Sequence, residues 1–128
     1  CRLIREHPGP LPTWSDSHDP RIRAIVVAAP ALGYAFGKEG LRDVTIPVQL
    51  WRADDDRILP APLYADAVRA DLPRAPEFHG VPGAGHFDFL APCAAPTPIC
   101  RSAPGFDRAA FHRDFDGRVV AFFARTLR

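Results

Sequence analysis

The sequence predicts an α/β protein with a small parallel sheet, and three observations support that prediction. Two apolar runs and one shorter segment have the lengths of strands in a sheet, and the two runs have the residue types of buried strands. Segments with apolar residues at helical spacing follow them, and prolines and glycines separate the elements. Strands that alternate with helices indicate βαβ units, whose strands run parallel. The three predicted strands are Ile22–Ala29, Ile46–Trp51 and Glu77–Val81.

The first strand, Ile22–Ala29, is rich in β-branched residues, as strands buried on both faces are. The segment 31–37 contains two glycines and is predicted as a loop, followed by one helical turn over 38–43. Tyr34 and Phe36 lie in this loop, after the carboxyl end of a strand. They are candidates for lining a substrate pocket, and a packing role explains them equally well.

The second and third strands are each followed by further predicted helices. Residues 60–72 have apolar side chains at helical spacing, with prolines near the first turn. Phe87–Leu90 predicts a short helix, and residues 107–127 predict a long one with Asp107 as its N-cap. The long helix has one apolar face. That face consists of Phe111, Phe115, Val119, Phe122 and Phe123.

Length and composition restrict the class of protein. The chain has 128 residues, 47% of them hydrophobic, which suits one domain with a packed core. We expect residues 1–20 to form a helix tail and loop, and residues 21–128 to form the core. The net charge is +1 with both signs mixed along the chain, so no basic surface predicts nucleic-acid binding. No apolar run is long enough to span a membrane.

Two short segments carry ionisable side chains directly after predicted strands. Ala53–Pro60 contains three consecutive aspartates, and Gly83–Phe87 contains His86. Functional groups in open α/β sheets lie at the carboxyl ends of strands. We therefore expect Asp56 and His86 to approach within hydrogen-bond reach at one end of the sheet.

Each of these residues also has a simpler explanation. Aspartates favour turns, so Asp54–Asp56 could be a solvated turn, and Asp55 is the second candidate for the acid. His86 could merely cap its loop, although the glycines beside it allow backbone conformations that a plain cap does not need. The remaining histidines are expected to be structural or solvent-facing. They are His7, His18, His79 and His112.

The order of these two segments resembles the C-terminal part of α/β-hydrolases, and the dienelactone-hydrolase-like branch most closely. Ala53, Asp56 and Pro60 fit the register of the family's acid turn, and Gly83–Phe87 resembles its histidine loop. The resemblance covers roughly residues 20–127. It implies acyl transfer on a small ester or lactone without a cofactor, with Asp56 and His86 as two members of a catalytic triad.

The third member, the nucleophile, has no candidate in this sequence. In this family the nucleophile precedes the acid and the histidine along the chain. None of the serines lies in a Gly-x-Ser-x-Gly turn, and Cys93 and Cys100 follow His86. Three strands are also a small sheet that leaves an apolar edge. We therefore expect a longer parent protein that supplies the N-terminal strands and the nucleophile. The serines are Ser15, Ser17 and Ser102.

The cysteines leave two possibilities open. None forms a CxxC pair, so a zinc site is not predicted. Cys93 and Cys100 enclose a short loop with two prolines, where a disulfide would indicate an exported protein. Two reduced thiols in a cytoplasmic protein are the alternative. Of the two we predict the bonded pair, with Cys1 left over and an exported parent protein. The alternative to a hydrolase fragment is a complete, non-enzymatic α/β binding module.

Overall fold

The computed structural model describes residues 19–92 and 97–128, apart from the side chain of Tyr34. The predicted helix tail and most of the first loop, through residue 18, lie outside the described residues. In the described part the strands are β1 (Ile25–Ala28), β2 (Val48–Ala53) and β3 (Glu77–Val81). The helices are α1 (Gly33–Leu41), α2 (Ala65–Asp71) and α3 (Arg108–Thr126). Short 3-10 turns cover Ala61–Leu63, His86–Phe89 and Pro98–Cys100.

The strands form one parallel sheet in the order β1-β2-β3. Ile25 lies opposite Val48, and Trp51 lies opposite His79. This arrangement confirms the predicted α/β class with a three-stranded parallel sheet and flanking helices. All three carboxyl ends therefore lie at the same end of the sheet.

The central strand β2 has two buried faces, because successive side chains of a strand point in opposite directions. Leu50 packs with Leu41 of α1 and Val68 of α2 in one apolar cluster. Trp51 points to the opposite face, where its ring centroid lies 4.9 Å from the ring centroid of Phe115 in α3. Helices therefore cover the sheet on both faces. Burial on both faces is what the apolar run of β2 predicted.

The predicted apolar face of the closing helix is confirmed. Trp51, Phe89, Phe111 and Phe115 form a cluster of edge-to-face and tilted rings. Aromatic rings prefer such edge-on contacts, which add to the gain from burial. His79 stacks on Trp51 with ring centroids 4.2 Å apart, in the structural role expected of it.

Two predicted elements differ in kind from the structure, and β1 and β2 begin later than predicted, at Ile25 and Val48. Residues 31–37 were predicted as a loop, but α1 begins at Gly33 and is interrupted at Gly37, where φ is 54°. Tertiary packing explains the difference: a Cβ on Gly33 would lie 2.3 Å from the carbonyl oxygen of Tyr64, so only glycine allows this approach. The single helix predicted over 60–72 is divided at Tyr64 into a 3-10 turn and α2.

The turns that follow β2 and β3 are hydrogen-bonded to each other. The Asp54 N–H donates to the Val81 carbonyl at 3.1 Å, and the Asp55 N–H donates to the Ala84 carbonyl at 3.0 Å. These bonds extend the pairing of the two strands beyond their ends. The acidic turn and the histidine loop therefore lie side by side.

Candidate active site

Asp56 lies in the turn after β2, and its side chain is held by backbone N–H groups of the same turn. Its Oδ1 accepts hydrogen bonds from the N–H groups of Ile58 at 2.9 Å and Leu59 at 2.8 Å. Such bonds to the residues that follow are typical of aspartate in turns. The side chain is only 3% exposed. One carboxylate oxygen is thereby fixed, and the other is left for a partner from elsewhere in the chain.

His86 supplies that partner. It begins the 3-10 turn His86–Phe89 that follows β3, after Gly83, whose φ is 76°. A side chain would be strained at that φ, which explains the glycine. His86 Nδ1 lies 2.9 Å from Asp56 Oδ2. The predicted approach of Asp56 and His86 at the carboxyl end of the sheet is confirmed.

The contact defines how the imidazole is protonated. An ionised carboxylate only accepts hydrogen bonds, so the proton of a neutral His86 ring is on Nδ1. The other nitrogen, Nε2, then carries a lone pair that can accept a proton. Within the described residues Nε2 has no hydrogen-bond partner. This is the arrangement that a general base requires.

A cleft of about 460 Å³ lies beside the histidine. Its walls include His86 and side chains of both charges from the neighbouring loops, among them Asp55, Arg57 and Arg101. The His86 side chain is 22% exposed, so a small molecule in the cleft could reach the ring. Phe36, which the sequence suggested for a pocket, is exposed on α1 and does not line this cleft.

The other two aspartates of the turn have different surroundings. Asp54 Oδ1 accepts a hydrogen bond from Arg52 Nε at 2.8 Å. Hydrogen bonds to Asp54 and Asp66 raise the pKa of the Arg52 guanidinium above its already high value, so this ion pair stays charged. Asp55 is exposed. Of the three, Asp56 alone contacts His86.

The histidine loop is held by groups that the sequence did not reveal. Asp88 is 3% exposed, and its Oδ2 accepts a hydrogen bond from the Gly85 N–H at 2.7 Å. Ser102 Oγ donates to Asp88 Oδ1 at 2.5 Å. Arg108 of α3 donates to the carbonyl oxygens of Phe87 and Leu90. The spacing Gly85-x-x-Asp88 could have indicated the first bond, because an acid three residues into a helical turn can accept from the backbone N–H of the residue that precedes the turn.

The remaining contacts of this loop explain His112 and Ser102. His112 Nε2 lies 2.9 Å from the Asp88 carbonyl oxygen, a structural role of the kind expected for it. Ser102 is the only serine in the described part of the chain, and it binds Asp88 rather than His86. Ser15 and Ser17 lie outside the described residues. The described residues therefore show no hydroxyl nucleophile bound to Nε2.

Other kinds of site have less support. In the described ranges no group of three or more His, Cys, Asp or Glu side chains could hold a metal ion. Nor is any described helix long and apolar enough to cross a membrane. Cys100 lies in the described part, whereas Cys1 and Cys93 lie outside it. The described residues thus contain no cysteine pair, and the Cys93–Cys100 bridge stays a prediction.

Comparisons with protein-family models, curated proteins and solved structures found no match for this chain. The geometry of the site and the residues of its two loops are therefore the basis for assigning a function.

Proposed function

We propose that this chain supplies the acid and the histidine of an acyl-transfer triad, as the C-terminal part of an α/β-hydrolase. The observation that supports the proposal most strongly is the hydrogen bond between Asp56 Oδ2 and His86 Nδ1. It joins a buried carboxylate, fixed by two backbone N–H groups, to an imidazole at the edge of a cleft. Those are the properties that a triad needs in its acid and its base.

The roles follow from the chemistry of ester cleavage. His86 Nε2 takes the proton of a nucleophile as that nucleophile attacks the carbonyl carbon, and returns it to the leaving group. Asp56 keeps the ring in the Nδ1–H tautomer and stabilises the imidazolium that forms. The proposed substrate is a small ester or lactone, and the reaction needs no cofactor.

The nucleophile and the oxyanion donors belong, in this proposal, to residues encoded upstream of Cys1. The order acid then histidine along this chain agrees with the hydrolase order of nucleophile, acid and histidine. Both loops follow the carboxyl ends of their strands and so lie at the same end of the sheet. In the proposed parent, a nucleophile after another parallel strand would lie at that end too, within reach of Nε2.

A second candidate function is a non-enzymatic binding module. The observation in its favour is that no described serine or cysteine is bonded to His86 Nε2. In that case the Asp56–His86 bond would only tie two loops together, and the cleft would bind a partner without cleaving it.

Hydrolysis of p-nitrophenyl acetate distinguishes the two functions. We expect the 128-residue chain alone to stay at background, because a base without a nucleophile and oxyanion donors lacks most of the catalytic unit. The protein extended by its upstream coding sequence is expected to turn over, and Asp56→Asn to lower its kcat by about 10³-fold or more. Asp54→Asn, whose carboxylate binds Arg52, is the matched control and should change kcat only a few-fold.

Two results would contradict the hydrolase proposal. One is an extended protein that shows no turnover although it contains a Gly-x-Ser-x-Gly turn. The other is turnover that His86→Ala leaves unchanged. Hydrolysis by the 128-residue chain alone that disappears in His86→Ala would instead place the nucleophile within this sequence.

A further inference from the structure

Asp88 is a buried carboxylate that the proposed reaction does not use. It lies two residues after His86 and is 3% exposed. Carboxylates are rarely buried this deeply unless hydrogen bonds compensate for the lost water. The bonds here come from one donor on each side: the Gly85 N–H on Oδ2 and the Ser102 hydroxyl on Oδ1.

The first of these bonds acts next to the histidine. Gly85 directly precedes His86, and its N–H would otherwise be one of the free donors at the start of a 3-10 turn. With this N–H held by Asp88, the backbone that leads into His86 is fixed relative to the turn His86–Phe89. The direction in which the His86 side chain leaves the backbone is thereby restricted, independently of the contact between the ring and Asp56.

The second bond connects the turn to a distant part of the chain. Ser102 lies 14 residues beyond Asp88, after the 3-10 turn Pro98–Cys100. Arg108 adds a third attachment by donating to the carbonyl oxygens of Phe87 and Leu90, on either side of Asp88. Three separate contacts, from Gly85, Ser102 and Arg108, thus hold the turn that carries His86.

We propose that Asp88 is a positioning residue for His86, acting through the Gly85 N–H. It keeps the ring where Nδ1 meets Asp56 and where Nε2 is free to act as the base. The inference rests on the proposed function, because positioning matters for chemistry only if His86 is the base. The position itself can be measured without any activity.

The tautomer of His86 is the quantity to measure, by ¹⁵N-resolved histidine NMR of the 128-residue chain at a pH where the ring is neutral. In the wild type the Nδ1–H form should dominate, since Asp56 accepts that proton. Asp88→Ala should lower the ratio of Nδ1–H to Nε2–H about tenfold. A ring that moves away from Asp56 loses one hydrogen bond to a charged group, and that bond is what favours the Nδ1–H form. Loss of stability alone does not change the tautomer of molecules that remain folded.

Four further variants isolate the bond. Asp88→Asn keeps an acceptor oxygen for the Gly85 N–H and should preserve the wild-type ratio. Gly85→Pro removes the donor instead, with a rotation of φ from −93° toward the roughly −65° of proline, and should lower the ratio even if Asp88→Ala does not fold. Gly85→Ala is its control, because a Cβ there meets Asp88 Oδ2 at 3.6 Å, an ordinary contact. Asp114→Ala, which removes an exposed partner of Arg118, controls for the loss of a carboxylate.

The outcomes separate the two proposals. A wild-type tautomer ratio in folded Asp88→Ala or in Gly85→Pro would overturn the positioning role, as would equal losses in Asp88→Asn and Asp88→Ala. A changed ratio in these variants, combined with hydrolysis that is insensitive to Asp56→Asn, would retain the positioning role and reject the proposed function.

Discussion

Three consecutive aspartates after β2 have the same chemistry and three different surroundings. Asp54 pairs with Arg52, Asp55 is exposed, and Asp56 binds both its own turn and His86. The sequence favoured Asp56 only through its resemblance to the hydrolase acid turn, whose register Ala53, Asp56 and Pro60 fit. The contact with His86 spans 30 residues and depends on the pairing of β2 with β3. Asp55 therefore remained an alternative until the fold was known.

These surroundings predict different costs of removing each carboxylate from the chain. Asp56→Ala leaves two backbone N–H groups and the His86 ring without an acceptor, and should lower the free energy of unfolding by about 2 kcal/mol. Asp55→Ala, its matched control, removes an exposed side chain and should stay within about 0.5 kcal/mol of the wild type. Urea denaturation of both variants measures the difference. Equal losses would show that the Asp56 bonds contribute no net stability.

Glu77 predicts a pH dependence of stability at the other end of β3. Burial alone would raise the pKa of Glu77, but hydrogen bonds from Gln49, His79 and Arg125 together outweigh burial and lower that pKa. A carboxyl group whose pKa is lowered on folding stabilises the protein above its unfolded pKa of about 4.3, and this stabilisation is lost as pH falls through the folded pKa.

Glu77→Gln should therefore destabilise the chain at neutral pH and have much less effect at acidic pH. We expect about 1 kcal/mol at neutral pH, a modest value because the Glu77 side chain is 36% exposed and water screens its charge. Chemical denaturation of wild type and variant across acidic and neutral pH measures the difference. A difference that stays constant, or grows as the pH falls, would assign the effect to packing instead of charge.

At the scale of elements, the strands were easier to predict than the first helix. β2 is almost entirely buried and follows from an apolar run, β3 is short and half-buried, and α3 has apolar residues at helical spacing. α1 contains three glycines, Gly33, Gly37 and Gly40, which disfavour a helix by propensity. It forms because it packs on α2. Helix α1 is therefore stabilised by contacts with an element distant in sequence, and such contacts cannot be inferred from a single sequence.

The packing of α1 predicts opposite effects for two glycines of the same helix. Gly33→Ala places a methyl group 2.3 Å from the Tyr64 carbonyl oxygen, so α1 or α2 must move, and overpacking of this kind costs about 1–3 kcal/mol. Gly40→Ala meets no atom within 4 Å and should stabilise by about 0.5 kcal/mol, since alanine loses less backbone entropy. Thermal unfolding followed by circular dichroism compares them. A stabilised Gly33→Ala protein would contradict the close approach.

For the whole molecule, the order of the sheet leaves β1 at one edge. The Ile25 N–H donates to the Pro47 carbonyl at 3.0 Å, and the Ala29 N–H donates to the Trp51 carbonyl at 2.9 Å. Backbone groups alternate in direction along a strand, so the N–H of Val27 also points toward β2 and that of Val26 points outward. Within the described residues no strand pairs with this outer side. The proposed parent hydrolase would place a further strand there.

Proline substitutions in β1 test whether that outer edge is open in this chain. Val27→Pro removes a donor to β2 and should cost about 2 kcal/mol more than Val27→Ala, because a buried carbonyl loses its partner. Val26→Pro removes a donor that faces away from the sheet, so it should differ little from Val26→Ala, as proline is tolerated at exposed strand edges. The alanine variants account for the lost side chains, of which Val27 packs on the core cluster. Urea denaturation gives the four free energies. An equally large proline penalty at Val26 would mean that another segment already pairs with β1, leaving no place for an additional strand.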